Sequence, residues 1–216
     1  MLPGFSGVVS DTLFGFMLFS QTTASTQTIA WPAVRGSDLA FLIDWAYDVN
    51  GIPAAVTPTG FTNFINNPTS GYDSRIMYSA KKCNGTETGN ITGLLGNTAT
   101  RKSLYIFRPT TYWDSFTLVV TASDISNAGN HSPLNLASAG TNGPAFIFTG
   151  FASSDSSITY SSSVAMDAYY PSGSADRLKS GYKFYGVDST TANVTLTAAD
   201  EGVENQLNAM LLRINR

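Results

Sequence analysis

The stretch that decides the fold is Gly36-Ser37-Asp38-Leu39-Ala40-Phe41-Leu42-Ile43-Asp44-Trp45-Ala46-Tyr47-Asp48, the longest apolar run of the chain. Its near-continuous apolar residues are typical of a strand that is covered on both faces. We therefore place this run at the centre of a sheet.

The rest of the chain alternates short β-branched and aromatic runs with clusters of Gly, Asn, Ser and Pro, which is typical of strands and turns. We expect residues 75–82 and 103–109 to pair with each other. The fold class is predicted to be all-β: a single antiparallel β-sandwich, jelly-roll or lectin-like, with long loops and little helix. Strands are predicted at 14–19, 28–32, 36–48, 75–82, 103–109, 116–121, 144–151, 181–186, 192–197 and 209–214.

Composition supports this class and excludes others. Only three Glu, five Lys and three Gln occur in 216 residues, so the residues that usually fill exposed helix faces are scarce. The formal net charge is -3 and the basic residues are scattered, so a role in nucleic-acid binding is not expected. Cys83 is the only cysteine, which excludes an intramolecular disulfide.

The N-terminal part is expected to be a docking segment, residues 1–26, followed by the β-sandwich domain, residues 27–216. Its apolar stretch from Leu13 to Phe19 is too short to span a bilayer, so neither a signal peptide nor a membrane anchor is expected. Left uncovered, these apolar residues would form a large exposed patch. The segment is therefore expected to pack against its own sandwich or against a neighbouring subunit.

Five motifs that follow one another along the chain resemble those of a known class of proteins. They are Gly36-Ser37-Asp38-Leu39-Ala40-Phe41-Leu42, Pro58-Thr59-Gly60-Phe61-Thr62, Arg75-x-x-x-Ser79-x-Lys81, Ser103-Leu104-Tyr105-Ile106-Phe107-Arg108 and Gly143-Pro144-Ala145. From about Ile29 onwards, the chain resembles β-sandwich domains of structural virion proteins, decoration or tail-associated, of tailed bacteriophages. The resemblance implies a module of capsids, tails or fibres that carries no catalytic residues.

Candidate catalytic groups lack the partners that chemistry needs. His131 lies in a predicted loop, with no nucleophile motif and no orienting carboxylate nearby in sequence. Asp38, Asp44 and Asp48 could line one side of the central strand, but no Asp-rich loop suited to a hard cation is present. We expect no enzymatic activity, no cofactor and no metal.

The aromatic residues offer a second kind of site. Trp31 and Trp45 border apolar runs and are expected in the core, although flat rings could also stack on sugars. Tyr112 and Trp113 follow Pro109 in a loop and are expected to be exposed, as interface aromatics often are. The candidate partner-binding residues are Phe14, Phe16, Phe19, Tyr112, Trp113, Tyr169 and Tyr170.

Three functions remain open at this stage: a virion-shell protein, a glycan-binding tail module and a hydrolase on a sandwich scaffold. The first is favoured, as a capsid decoration or cement protein that contacts the major capsid protein or tail proteins. Copies are expected to associate, most simply as trimers, with no nucleic acid and no membrane partner. The alternative is a tail, baseplate or fibre module that binds host surface glycan.

Overall fold

The computed structural model describes residues 14–48, 50–68, 73–96, 99–126, 133–154, 159–170, 177–199 and 205–216. These residues form thirteen strands and no helix, so no membrane-spanning helix occurs among them. The strands are β1 (Phe16–Ala24), β2 (Gly36–Tyr47), β3 (Thr62–Pro68), β4 (Ser74–Asn84), β5 (Ala99–Pro109), β6 (Ser115–Ser126), β7 (Leu134–Leu136), β8 (Ala145–Ala152), β9 (Thr159–Ser162), β10 (Ala168–Tyr170), β11 (Leu178–Tyr185), β12 (Val194–Ala199) and β13 (Asn205–Asn215).

The strands form three antiparallel sheets packed in layers. The first sheet has the order β1-β5-β2-β4-β3, the second β10-β11-β8-β13-β6 and the third β7-β12-β9. The first and second sheets pack face to face around the larger core, which confirms the predicted antiparallel β-sandwich. The third sheet covers the opposite face of the second around a separate core, a layer that the sequence analysis did not predict.

The decisive run is the central strand of the first sheet, as predicted. β2 lies between β5 and β4, and its residues from Asp38 to Ala46 are all buried. Its inward residues Leu39, Phe41, Ile43 and Trp45 belong to the larger core. Phe41 stacks on Phe148 of the second sheet, with ring centroids 3.5 Å apart.

Two strand predictions were wrong. The segments 75–82 and 103–109 lie in β4 and β5, but each pairs with β2 rather than with the other. Both segments are hydrophobic enough to lie beside a buried strand. Their hydrophobic pattern does not determine which strand is the neighbour of which. Residues 28–32 form no strand: only an isolated bridge joins Ala30 to Asn90.

The inner strand β8 of the second sheet is buried on both faces because this sheet is the middle layer. All eight residues of β8 are buried. Phe146 and Phe148 face the larger core, whereas Phe151 faces the core under the third sheet. All three rings are fully buried.

A bulge in β6 lets this edge strand contribute to both cores. Its register against β13 shifts between Leu211 and Leu212, and Val119 is the residue without a partner position. Before the shift, Phe116 and Leu118 pack on the larger core. After it, Val120 and Ala122 pack under the third sheet.

Loops cover the outer face of the first sheet. Ile29, Phe61 and Ile91 from three separate loops pack with Ala40 and Leu42 of β2 in a third apolar cluster. These loops also form the walls of the pocket described below.

Candidate functional site

Asp38 and Asp44 lie on β2 and Asp48 directly follows it, and each of the three carboxylates has a partner within the chain. Asp44 Oδ1 accepts a hydrogen bond from Lys102 Nζ at 2.5 Å, and both side chains are almost completely buried. Asp44 Oδ2 also accepts the backbone N–H of Leu95 at 2.7 Å. Burial raises the pKa of Asp44, although the Lys102 ammonium opposes this, and burial lowers the pKa of Lys102.

The two other carboxylates are also held internally. Asp38 makes a two-point ion pair with Arg108, with nitrogen–oxygen distances of 3.1 and 3.0 Å. Asp48 accepts the backbone N–H of Asn50 at 3.1 Å. Asp38 therefore links two strands of the first sheet, and Asp48 stabilises the loop that follows β2.

The cysteine is a buried neutral thiol. Burial raises the pKa of Cys83 to about 12, with a further contribution from the nearby Glu87 carboxylate. A thiol with such a pKa remains protonated at neutral pH and is a poor nucleophile.

The remaining candidate for chemistry, His131, lies outside the described residues. Within the described ranges, no three His, Cys, Asp or Glu side chains are grouped as a metal site would require.

Of the predicted partner-binding residues, Trp113 was wrongly placed at the surface. It is fully buried at one end of the sandwich, where its indole Nε1 donates to the Ser37 carbonyl at 2.7 Å. Lys82 Nζ donates to the Trp113 carbonyl and fixes this segment over the end of β4. Phe14 and Phe16 also pack on the larger core, so their rings are used within the chain.

Phe19 and Tyr112 are exposed, at 44% and 72%. The Phe19 ring lies against the Arg108 guanidinium at 3.7 Å, and the Tyr112 ring lies 4.9 Å from Lys82 Nζ. Met17, also on β1, is 62% exposed. Tyr169 and Tyr170 belong to β10, and their side chains fall outside the described part of the structure.

Two sheet edges form candidate interaction surfaces: β1 at one edge of the first sheet and β6 at one edge of the second. β1 carries no charged residue and β6 carries one, Asp124. Neither has an internal Pro or Lys, so the β-bulges at Phe19 of β1 and Val119 of β6 are the features of these strands that oppose pairing with another chain. Val119 and Ile125 of β6 are exposed, at 46% and 40%.

These edges lie on opposite sides of the molecule. β3, the edge of the first sheet farthest from β1, lies over β6: Phe64 contacts Phe116, and Asn67 Nδ2 donates to Ser123 Oγ. A strand added at β1 and another added at β6 would therefore not compete for space.

A pocket of about 270 Å³ opens among the loops on the outer face of the first sheet. Its aromatic wall is Trp31, whose ring stacks on Phe61 with centroids 5.6 Å apart. Lys81 Nζ lies 5.3 Å from the Trp31 ring centroid and pairs with Glu87 Oε1 at 3.1 Å. We call this the Trp31 pocket. The rest of its wall is Thr59, Asn84, Thr86, Thr88, Asn90, Ile91 and Thr92.

Glu87 organises one wall of the pocket. Its carboxylate accepts the backbone N–H groups of Asn84 and Gly85 at 3.0 and 2.9 Å. Burial alone would raise the pKa of Glu87, but these hydrogen bonds and the Lys81 ammonium outweigh it and hold the pKa below the usual 4.5.

Because the carboxylate is favoured in the folded chain, its contribution to stability is present above the unfolded pKa and lost as the pH falls through the folded pKa. Replacing Glu87 with Gln is expected to lower the free energy of unfolding by about 1–3 kcal/mol at pH 7. The difference in stability between the two proteins should shrink towards zero at acid pH, where Glu87 is protonated and therefore as neutral as Gln. Urea unfolding of both proteins from neutral to acid pH measures this difference. A difference that does not depend on pH would contradict this account, and Asp167→Asn, in an exposed ion pair, is the control.

No protein-family model, curated protein or solved structure matches this chain. The geometry described above is therefore the basis for proposing a function.

Proposed function

We propose that this chain is a non-enzymatic structural protein of a tailed-phage virion, a decoration protein that stabilises the shell through protein–protein contacts. The observation that carries the proposal is the pair of nearly uncharged edge strands, β1 and β6, on opposite sides of the sandwich in the described part of the chain. Edges of this kind are templates for pairing with another chain.

The same geometry supports association between copies. Contact between β1 of one copy and β6 of the next would be heterologous, and such contacts close into a ring where the rotation between neighbours allows it. A ring of three is the favoured arrangement, partly by analogy with decoration proteins at threefold positions of shells. Several subunits contacting a shell together would multiply modest single-site affinities.

A structural role also accounts for how the ionisable side chains are used. Asp38 and Asp44 hold β2 to β5 through Arg108 and Lys102, and the Cys83 thiol is buried and neutral. Such groups give rigidity to a subunit and leave little for acid–base or nucleophilic work.

The test is binding of the purified protein to stripped phage heads and to free shell subunits, with bound copies counted and the oligomeric state measured by light scattering. We expect an oligomer that binds heads much better than free subunits. Val119→Lys places a charge on the open edge and should reduce binding to heads at least about tenfold, or about 1.4 kcal/mol. Ala139→Lys, in an exposed turn of the described chain, is the matched control and should bind normally.

Two outcomes would contradict the proposal. A monomer that binds neither heads nor shell subunits would remove the structural role. Binding to host envelopes or polysaccharide in place of heads would favour the alternative, a tail, baseplate or fibre module.

A further inference from the structure

We propose that the Trp31 pocket binds one ring of a neutral saccharide. Neither β1 nor β6 lines this pocket, so the inference goes beyond the proposed assembly role and can succeed or fail separately.

The aromatic wall supplies the apolar half of such a site. Trp31 is only partly buried, and Phe61 supports its ring by stacking. A sugar ring has an apolar surface of C–H groups bounded by hydroxyls, which suits an aromatic wall beside a polar rim. Binding sites commonly combine aromatic side chains with a few placed polar groups in this way.

The polar rim matches a polyhydroxy ligand. Hydroxyls and amides both donate and accept hydrogen bonds, as sugar hydroxyls do. The described rim consists largely of such side chains, all exposed: Thr59, Asn84, Thr86, Thr88, Asn90 and Thr92.

The charge of the pocket favours a neutral ligand. The two ionisable side chains on its wall, Lys81 and Glu87, pair with each other at 3.1 Å. The Glu87 carboxylate thereby balances the Lys81 charge, so these two side chains together offer no net positive charge to attract an anionic ligand. The pair still presents an ammonium that can donate to a sugar hydroxyl.

The walls are built before a ligand arrives. Asn84 Oδ1 accepts both the N–H and the hydroxyl of Thr86, at 2.9 and 2.7 Å, and the hydroxyls of Thr59 and Thr92 bond at 3.0 Å. At Gly93 (φ +74°), an added Cβ would lie 2.8 Å from the Thr57 carbonyl oxygen, so the two loops touch backbone to backbone. A preorganised wall reduces the entropy lost on binding.

The volume limits what can enter. Pockets that enclose drug-sized molecules measure about 300–1,000 Å³, and this one is about 270 Å³. It therefore accommodates a single sugar ring, with the remainder of any chain outside.

The experiment is titration of the full chain with glucose, galactose, mannose and N-acetylglucosamine, followed by tryptophan fluorescence. Trp45 and Trp113 are fully buried, so a change in fluorescence reports on Trp31. We expect a saturable change with at least one sugar and a Kd on the order of 1 mM, since a small ligand gains little affinity in an open pocket.

Variants of the pocket make the result specific. Trp31→Phe keeps a ring on Phe61 but shortens the wall, and should weaken binding about tenfold by isothermal titration. Thr88→Val removes an exposed rim hydroxyl without touching the core, and should weaken binding severalfold. Ile52→Ala truncates an exposed apolar side chain outside the pocket and should leave the Kd unchanged.

The inference is overturned if no sugar gives a saturable response, or if Trp31→Phe and Thr88→Val bind as the natural chain does. Binding to phage heads is measured on the same variants. Heads bound normally by a variant that has lost saccharide binding would show that the two activities use separate surfaces.

Discussion

Replacing Lys102 with Met is expected to lower the free energy of unfolding by about 3–5 kcal/mol, because it leaves the Asp44 carboxylate buried without its counter-charge. Both side chains are almost completely inaccessible to solvent, so water cannot replace the lost partner. The substitution also removes the hydrogen bond from Lys102 Nζ to the Leu95 carbonyl at 2.8 Å. Urea unfolding at neutral pH measures the loss.

Two further variants show whether the loss comes from the unpaired charge. In the double variant Asp44→Leu/Lys102→Met, both charges are absent, and stability should recover in large part because buried pairs can often be replaced by apolar residues. Lys183→Met breaks the exposed pair with Asp167 and should cost at most about 1 kcal/mol. A Lys102→Met protein as stable as the Lys183→Met protein would refute this account of the pair.

The second large effect is expected for Phe148→Ala. Its ring stacks on Phe41 at 3.5 Å and lies against Tyr105, Phe107 and Phe146, so truncation opens a cavity between the two large sheets. We expect a loss of about 3–5 kcal/mol. For a domain of this size, that corresponds to a decrease in Tm of roughly 6–20 °C.

Calorimetry measures this change, with Met17→Ala as the control. Met17 is 62% exposed, so its truncation should shift Tm by only a degree or two, as surface substitutions within about 0.5 kcal/mol do. Equal shifts for the two variants would mean that the described core does not dominate stability.

The sequence predicted what depends on local pattern. The continuous apolar character of β2 placed it at the centre of a sheet, and the short apolar runs bounded by Gly, Asn, Ser and Pro indicated most of the other long strands. What it could not predict was which strands are neighbours. β4 and β5 carry similar patterns, and only the packed structure shows that β2 lies between them.

The candidate site was harder to predict for the same reason. Tyr112 and Trp113 are adjacent in the chain, yet one is exposed and the other fully buried, because the loop folds Trp113 onto Ser37. Trp31 was expected in the core and instead forms a pocket wall. The pocket joins residues from separate loops, and contacts between distant loops leave no periodic signal in the sequence.

The three-layer arrangement has a consequence for the solubility of the folded chain. On the side of the middle sheet away from the larger core, Ile147, Leu207 and Leu211 are fully buried because the small third sheet lies on them. If its three short strands detached, a broad apolar surface would open while the larger core remained intact. Local detachment of the smallest layer would thus be enough to make an otherwise folded subunit prone to aggregation.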